Sequence, residues 1–369
     1  MEELIQAKPP KSKIRSYLVV LLALLLFIFA IDLLTVAMGR LNSSVATDII
    51  QATRNPFISL FVGLLVTALI QSSSTVTASI VAIVASGNMT LQQAVPMVLG
   101  ANIGTTLTSS LVSFTFIMRN KEFKRALSAG IIHDVFNILS VLILFPLELY
   151  FNFLSKTAEK IAHFFSSDSS LSGPFEYNRM FTRTMTEWIV ENINIPFVST
   201  LLAIFLVFFS IKVLTTSVYN TFVLDTFQDV NKIIFKNTGL SFIYGVFFTA
   251  AIQSSTVTTC LVVPLVANRK VRLASAFPFI IGANIGTTIT AVIASIYKTE
   301  AAIALAFVHV LFNCIGALIF LPFPEIRQIP VKIAEFMGRT SAKHKVFGFA
   351  YILLTFFIIP FLLIYFSRG

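Results

Sequence analysis

Gly100 to Thr106 reads GANIGTT, and Gly282 to Thr288 reads GANIGTT again, 182 residues later. At the same offset Gln71-Ser72-Ser73 returns as Gln253-Ser254-Ser255, and Gly63, Thr67, Ala68 and Ile70 return as Gly245, Thr249, Ala250 and Ile252. Downstream, after a deletion of six residues, His133, Phe136, Asn137 and Pro146 match His309, Phe312, Asn313 and Pro322. Seven identical residues in register with these flanking matches are not a chance event in one chain, so the protein holds two copies of one unit.

The surroundings of the repeat fix its solvent. Of 369 residues, 56% are hydrophobic and 12% charged, whereas soluble domains carry about a quarter charged residues. Apolar stretches near the ~20 residues that cross a bilayer recur from Tyr17–Gly39 to Val346–Phe366. The chain reads as an all-α polytopic membrane protein, which excludes an ordinary soluble enzyme. Cys260 and Cys314, the two cysteines, both lie in apolar runs, so neither a disulfide framework nor a thiolate metal cluster is available. The net charge of +10 raises nucleic acid as a partner. The basic residues, however, fill short loops between apolar segments, as cytoplasmic faces of membrane proteins do, and the partner they indicate is the lipid bilayer. The first segment has a basic flank like a signal peptide, but it runs to Gly39 without a small-residue cleavage site and reads as a retained anchor.

Length divides each unit. A long helix (Tyr17–Gly39, then Phe197–Tyr219) precedes an apolar stretch interrupted at its middle (Pro56–Ser86, then Gly239–Ala267). Each arm of that stretch spans about 22 Å, short of the ~30 Å bilayer core, so a re-entrant hairpin with its tip at Gln-Ser-Ser is expected. A segment broken by GANIGTT follows, and then a closing helix, Ala126–Leu147 and Ala301–Leu321. Three crossings per unit are odd in number, so the second copy is expected upside down. With the amino terminus inside, inner loops hold 18 Lys and Arg against 8 outside, Lys212 lying within a helix. The expected layout is a cytoplasmic segment 1–16, a first repeat 17–149, an external loop 150–196, a second repeat 197–322, and a cytoplasmic linker with an extra carboxyl-terminal membrane helix over 323–369.

Non-helical backbone at mid-membrane survives only where protein or a water-lined cavity satisfies it. Paired breaks in inverted repeats point to a transport site between the repeats, where half-helix N-termini face an anion and oxygens hold cations. The break residues suit this. Ser72, Ser73, Ser74, Thr75, Thr77, Ser254, Ser255, Thr256, Thr258 and Thr259 offer hydroxyls that donate to an anion or present oxygen to a hard cation. Gln71, Gln253, Asn102 and Asn284 offer both donors and acceptors, and Gly100, Gly104, Gly282 and Gly286 are expected to let the backbone leave the helix. Small and hydroxyl residues also line ordinary membrane helix contacts; duplication in register is what separates these. No Lys or Arg falls in the breaks, so a bound anion there needs co-bound cations, which favours cotransport. Asp134 is a candidate because an intramembrane carboxylate is costly, with hydration at the cytoplasmic end as its alternative. Asp32 near the outer end of the first helix reads as hydrated, His309 as a packed or hydrogen-bonded helix residue, and His163 and His344 as loop residues. The 38 Phe are read as lipid-facing and packing residues.

The two QSS hairpins, the two GANIGTT breaks, and His133-Asp134-Val135-Phe136-Asn137 followed by Phe145-Pro146-Leu147-Glu148 together resemble the type II sodium-dependent phosphate cotransporter family. The resemblance covers residues 50–150 and 235–325. It implies inward movement of inorganic phosphate with sodium by alternating access, at a plasma membrane, with sodium as coupling ion and no cofactor. It implicates the hairpin tips and broken segments. Phosphate is expected at Ser72, Ser73, Ser74, Asn102, Thr105, Ser254, Ser255, Thr256, Asn284 and Thr287. Sodium is expected at Gln71, Ser73, Thr75, Asn102, Asp134, Gln253, Ser255, Asn284 and Thr288, and the sequence leaves open which hydroxyl serves which ion. The second tip reads QSSTV where the first reads QSSST, so equal contributions are not implied. Short tails and a cysteine-free external loop resemble a compact bacterial form, at home in an inner membrane. Three alternatives to that cargo and class exist. A carrier of another oxyanion, sulfate or arsenate, would use the same chemistry. A membrane hydrolase fails because adjacent His133 and Asp134 point about 100° apart on a helix and no catalytic motif accompanies them. A channel would show charged rings or a repeated filter.

Overall fold

The computed structural model describes residues 13–41, 43–167, 182–220, 233–296 and 298–366. Among them no strand occurs, and seven helices are long and apolar enough to cross a membrane. The chain is therefore a multi-pass membrane protein. Its helices are α1 (Lys13–Gly39), α2 (Ser43–Ala52), α3 (Pro56–Ile70), α4 (Ser73–Ala85), α5 (Leu91–Gly104), α6 (Leu107–Ser113), α7 (Asn120–Phe151), α8 (Phe153–Ser167) and α9 (Arg183–Ile193). They continue as α10 (Pro196–Val218), α11 (Thr238–Ile252), α12 (Ser255–Ala267), α13 (Leu273–Thr287), α14 (Ile289–Ser295), α15 (Glu300–Phe320), α16 (Pro324–Lys343), α17 (Lys345–Leu353) and α18 (Ile359–Phe366). A π turn over Leu354–Ile358 joins α17 to α18 in one apolar span.

The two copies fold alike down to single bonds. Asn55 and Asn237 cap α3 and α11 with their side chains. Ser59 Oγ donates to the Gln93 carbonyl at 2.6 Å, and Ser241 Oγ to the Ser275 carbonyl at 2.9 Å, pinning the first arm of each hairpin to the helix after it. α3 then packs along α5 and α11 along α13.

The glycines of this contact correct the sequence expectation. Gly100, Gly104, Gly282 and Gly286 all lie within helices rather than at a break. A Cβ on Gly100 would stand 1.8 Å from the Leu60 carbonyl oxygen, and one on Gly282 2.1 Å from that of Phe242. Glycine is there to let two backbones touch. The break itself is slight and lies at the threonines that end the motif, with Thr105, Thr106 and Thr288 in right-handed torsions.

The unit is also longer than the sequence suggests. The segment taken as an external loop holds α8 and α9, and the cytoplasmic linker is the helix α16. Asn152, at φ 51°, ends α7, and the Glu148 carboxylate accepts from the Leu154 and Ser155 amides to start α8. α8 packs on α15, while α16 packs on α7. Buried Leu154, Ala158 and Ala162 on the one match buried Pro330, Ala334 and Gly338 on the other. His163 belongs to α8 and is not a loop residue, whereas His344 sits between α16 and α17.

Asp32 is not hydrated. It is fully buried, 3.1 Å from Lys298 Nζ and 3.8 Å from Arg183 Nη1, and it accepts from the Thr182 and Thr186 hydroxyls. A carboxylate on α1 thus gathers α9 and the turn before α15. Burial lowers the Lys298 ammonium below its ordinary pKa, and the Asp32 charge opposes that shift. Of the Phe residues, Phe27, Phe123, Phe136, Phe277, Phe279, Phe312 and Phe356 are fully buried, and many others lie exposed on the apolar exterior.

Candidate functional site

Each hairpin turns on a glutamine in the left-handed region, Gln71 at φ 58° and Gln253 at φ 58°. Such a residue ends a helix by donating its amide backward: Gln71 N donates to the Thr67 carbonyl at 2.7 Å and Gln253 N to that of Thr249 at 2.6 Å. Ser72 and Ser254 follow in extended conformation, and their hydroxyls accept from Thr75 N and Val257 N to cap α4 and α12. Two helix N-termini, each carrying the positive end of its dipole and amides outside its own ladder, therefore start at the tips.

The tips meet. Ser74 Oγ donates to the Gln253 carbonyl at 2.9 Å, and Thr105 Oγ1, at the end of one GANIGTT motif, lies 3.4 Å from Thr256 Oγ1 of the opposite hairpin. Ser73, Ser74, Thr75 and Ser255 are buried, and Ser72, Ser254 and Thr256 half-buried. The Ser73 and Ser255 hydroxyls make no hydrogen bond among the described residues. Thr287 and Thr288 donate to the Ala283 and Ile285 carbonyls of their own helix. The two glutamines share a backbone conformation and differ in surroundings: Gln71 is exposed, whereas Gln253 is buried with its Oε1 unpartnered among the described residues.

The motif asparagines are each gripped by the other repeat. His133 Nε2 lies 2.5 Å from Asn284 Oδ1, and Asn284 Nδ2 donates to Asn137 Oδ1 at 2.7 Å. Reciprocally, His309 Nε2 lies 3.2 Å from Asn102 Oδ1, to which Asn313 Nδ2 also donates at 3.3 Å. Asn137 ties both halves, since its Nδ2 donates to the Asn102 carbonyl at 2.6 Å. All six side chains are buried, and His133 Nδ1, His309 Nδ1 and Asn313 Oδ1 have no partner among the described residues. Thr67 and Thr249 hydroxyls, beside Gly104 and Gly286, are unpartnered in both copies too.

Asp134 is buried rather than hydrated, and its Oδ2 accepts from Ser110 Oγ at 3.0 Å and Tyr351 Oη at 3.2 Å. None of its hydrogen bonds goes to a hairpin tip. Sequence reasoning therefore left His133, Asn137 and Asn313, which gather the motif asparagines, outside the site, whereas His309 is the hydrogen-bonded helix residue it was expected to be. Their recurrence at one offset on the closing helices was the available signal. For Tyr351, on the unrepeated last span, the sequence carries no signal.

The chain matches the family model described as Na+/Pi-cotransporter over residues 26–160 and 184–334. It is 28% identical to sodium-dependent phosphate transport protein 2A of Ovis aries, an alignment covering 91% of this chain and 65% of that protein. It is 26% identical to sodium-dependent phosphate transport protein 2B of Homo sapiens, over 90% of this chain and 62% of that one. The chain thus spans less than two thirds of the length of these relatives. No solved structure matches it.

Proposed function

The chain belongs to the Na+/Pi-cotransporter family, and from that premise we propose that it is a symporter that imports inorganic phosphate with sodium across a plasma membrane. Two serine-capped helix N-termini from different repeats meet at the hairpin tips, Ser74 Oγ lying 2.9 Å from the Gln253 carbonyl. An anion at such a junction faces two dipole ends and a set of hydroxyls without any fixed cation, so sodium ions held by hydroxyl, amide and carbonyl oxygens supply the balancing charge. Phosphate is assigned to Ser72, Ser73, Ser74, Thr256 and their neighbours at the tips. Sodium is assigned to the flanking oxygens, with the unpartnered Gln253 Oε1 a ready donor atom.

Alternating access follows from the paired hairpins, the first gating the outside and the second the inside. Its support is the exposure of Gln71 against the burial of Gln253, which leaves one tip open and the other covered. The inverted orientation, with the amino terminus cytoplasmic, is supported by which segments meet. Arg125 Nε reaches the Ala267 carbonyl at 2.7 Å and Arg327 reaches Thr238 at 2.7 Å, all on the basic side, whereas Asp32, Arg183 and Lys298 gather on the other. The host would be a bacterial inner membrane.

The test is uptake of radiolabelled phosphate into liposomes holding the purified protein, under a sodium or a potassium gradient at two clamped voltages. Sodium-dependent accumulation is expected. Each net charge moved is worth about 2.3 kcal/mol per 100 mV, so voltage dependence reads the stoichiometry. Competition by sulfate and arsenate tests the cargo. No sodium-dependent uptake by folded protein overturns the symporter. Ser73→Ala and Ser255→Ala variants that both keep wild-type sodium and phosphate dependence overturn the tip site.

A further inference from the structure

Away from the hairpin tips, a cleft of about 540 Å3 opens where the start of α7, the turn between α12 and α13, and α16 converge. Lys124, Arg125, Arg269, Arg272 and Arg339 line it, against the single carboxylate of Glu335. We propose that this cleft is a binding site for a ligand bearing phosphate groups with two or more negative charges, distinct from the transport site.

Basic residues on this side of a membrane protein ordinarily serve topology, and for that they need only be numerous and solvated. Lys124, Arg269, Arg272 and Arg339 are exposed and Arg125 half-buried, and what sets these five apart is their convergence. They come from three separate elements and line one concavity, where their like charges sum to a positive potential that an anion would offset. None of them forms an ion pair among the described residues, not even Glu335 with Arg339 one helical turn away. Lys121, Lys270 and Lys332 are exposed nearby and do not line the cleft.

The backbone adds to the charge. Helix α13 starts at Leu273, and Arg272 before it supplies no side-chain cap, so the amides of Leu273 and Ala274 lie outside the helix's hydrogen-bond ladder, and both residues line the cleft. A 15-residue helix thus presents its positive end to the same space as the five cations. Arg125 is held in place by its Nε bond to the Ala267 carbonyl at 2.7 Å, which leaves its terminal nitrogens for a ligand. α16 is brought close by Gly338, where a Cβ would stand 2.5 Å from the Lys124 carbonyl oxygen. Guanidinium forks match phosphate oxygens two at a time, which is why four arginines point to phosphate rather than to a carboxylate or a halide. The volume suits a lipid phosphate headgroup or a short soluble polyphosphate equally, and a basic pocket between membrane helices is a known setting for the former.

The test uses the full chain purified in detergent and in nanodiscs. Soluble tripolyphosphate is titrated calorimetrically, with orthophosphate as a comparison. Retention of phosphatidylglycerol and cardiolipin against phosphatidylcholine is read by native mass spectrometry. Arg272→Gln with Arg339→Gln removes two cleft charges; Lys270→Gln with Lys332→Gln removes two nearby charges outside it. At about fivefold per charge, the cleft pair should weaken binding roughly 25-fold and the control pair about twofold or less. Binding of tripolyphosphate alone assigns a soluble ligand, and of anionic lipid alone a headgroup, either supporting the site. Binding of neither probe, or equal weakening by both pairs, overturns it. Because no readout involves transport, failure here leaves the symporter reading untouched.

Discussion

Gly100→Ala separates two accounts of the repeated motif. Were the glycine a point of backbone freedom, alanine would favour the helix by about 1 kcal/mol and the protein would gain stability while losing transport. The packing predicts the reverse. The added Cβ would lie 1.8 Å from the Leu60 carbonyl oxygen, 2.8 Å from its carbon and 2.9 Å from Leu64 N. Carbon and oxygen rest about 3.3 Å apart or more, so α3 and α5 must separate by roughly 1.5 Å. Every clashing atom is backbone, so no side chain can swing aside, and Gly63 and Gly104 hold the same contact above and below. Overpacking costs about 1 to 3 kcal/mol; displacement of two helices belongs at or beyond the upper end. The propensity gain of about 1 kcal/mol leaves a net loss near 2 kcal/mol. Thermal unfolding of the purified protein checks this, with Gly39→Ala as control because nothing lies within 4 Å of its Cβ. Gly100→Ala as stable as that control would refute the argument, and Gly282→Ala should repeat it in the second copy.

Three further perturbations probe the buried polar groups. Asp32→Asn leaves the Lys298 ammonium buried without its carboxylate and should cost about 3 to 5 kcal/mol, with Asp32→Leu plus Lys298→Met recovering much of it in a double-mutant unfolding cycle. Tyr351→Phe removes one donor to Asp134 and should lower unfolding stability by about 0.5 to 1.5 kcal/mol, more if the carboxylate is ionised; no change would dismiss the link from the last span to the core. Asn284→Leu orphans His133 Nε2 and Asn137 Oδ1, at about 1 to 3 kcal/mol each, and should abolish phosphate uptake in the liposome assay; retained uptake would remove the asparagine network from the site.

The hairpins are legible in the sequence because their arms are too short to cross a bilayer and their tips interrupt an apolar run at the same residues twice. Composition and segment length likewise suffice for the seven spans. What the sequence hides is what helical periodicity does not encode. A glycine that frees the backbone and one that admits a neighbouring helix look identical until Leu60 and Phe242 are seen against them. α8 and α16 carry too few apolar residues to cross a membrane and read as loop and linker, although each buries a ridge spaced by four. Asp32 reads as hydrated because its partners Arg183 and Lys298 lie 151 and 266 residues away.

The two repeats are bonded to each other through their motif asparagines. The asparagine of each GANIGTT motif is held by the closing helix of the other copy, so neither copy completes its own polar core. Sequence symmetry would have Asn137 and Asn313 do the same work, yet Asn137 uses both ends of its amide, its Oδ1 toward Asn284 of the other copy and its Nδ2 toward Asn102 of its own, whereas Asn313 leaves its Oδ1 without a partner among the described residues. Gln71 and Gln253 divide in the same way, one exposed and one covered on identical torsions. A duplicated set of residues held in two unequal arrangements is what an exchange of roles between the repeats would start from. The polar groups that stay buried through such an exchange need partners in both states. A cargo of oxyanion and cations bound among them would supply those partners as the protein crosses between the two.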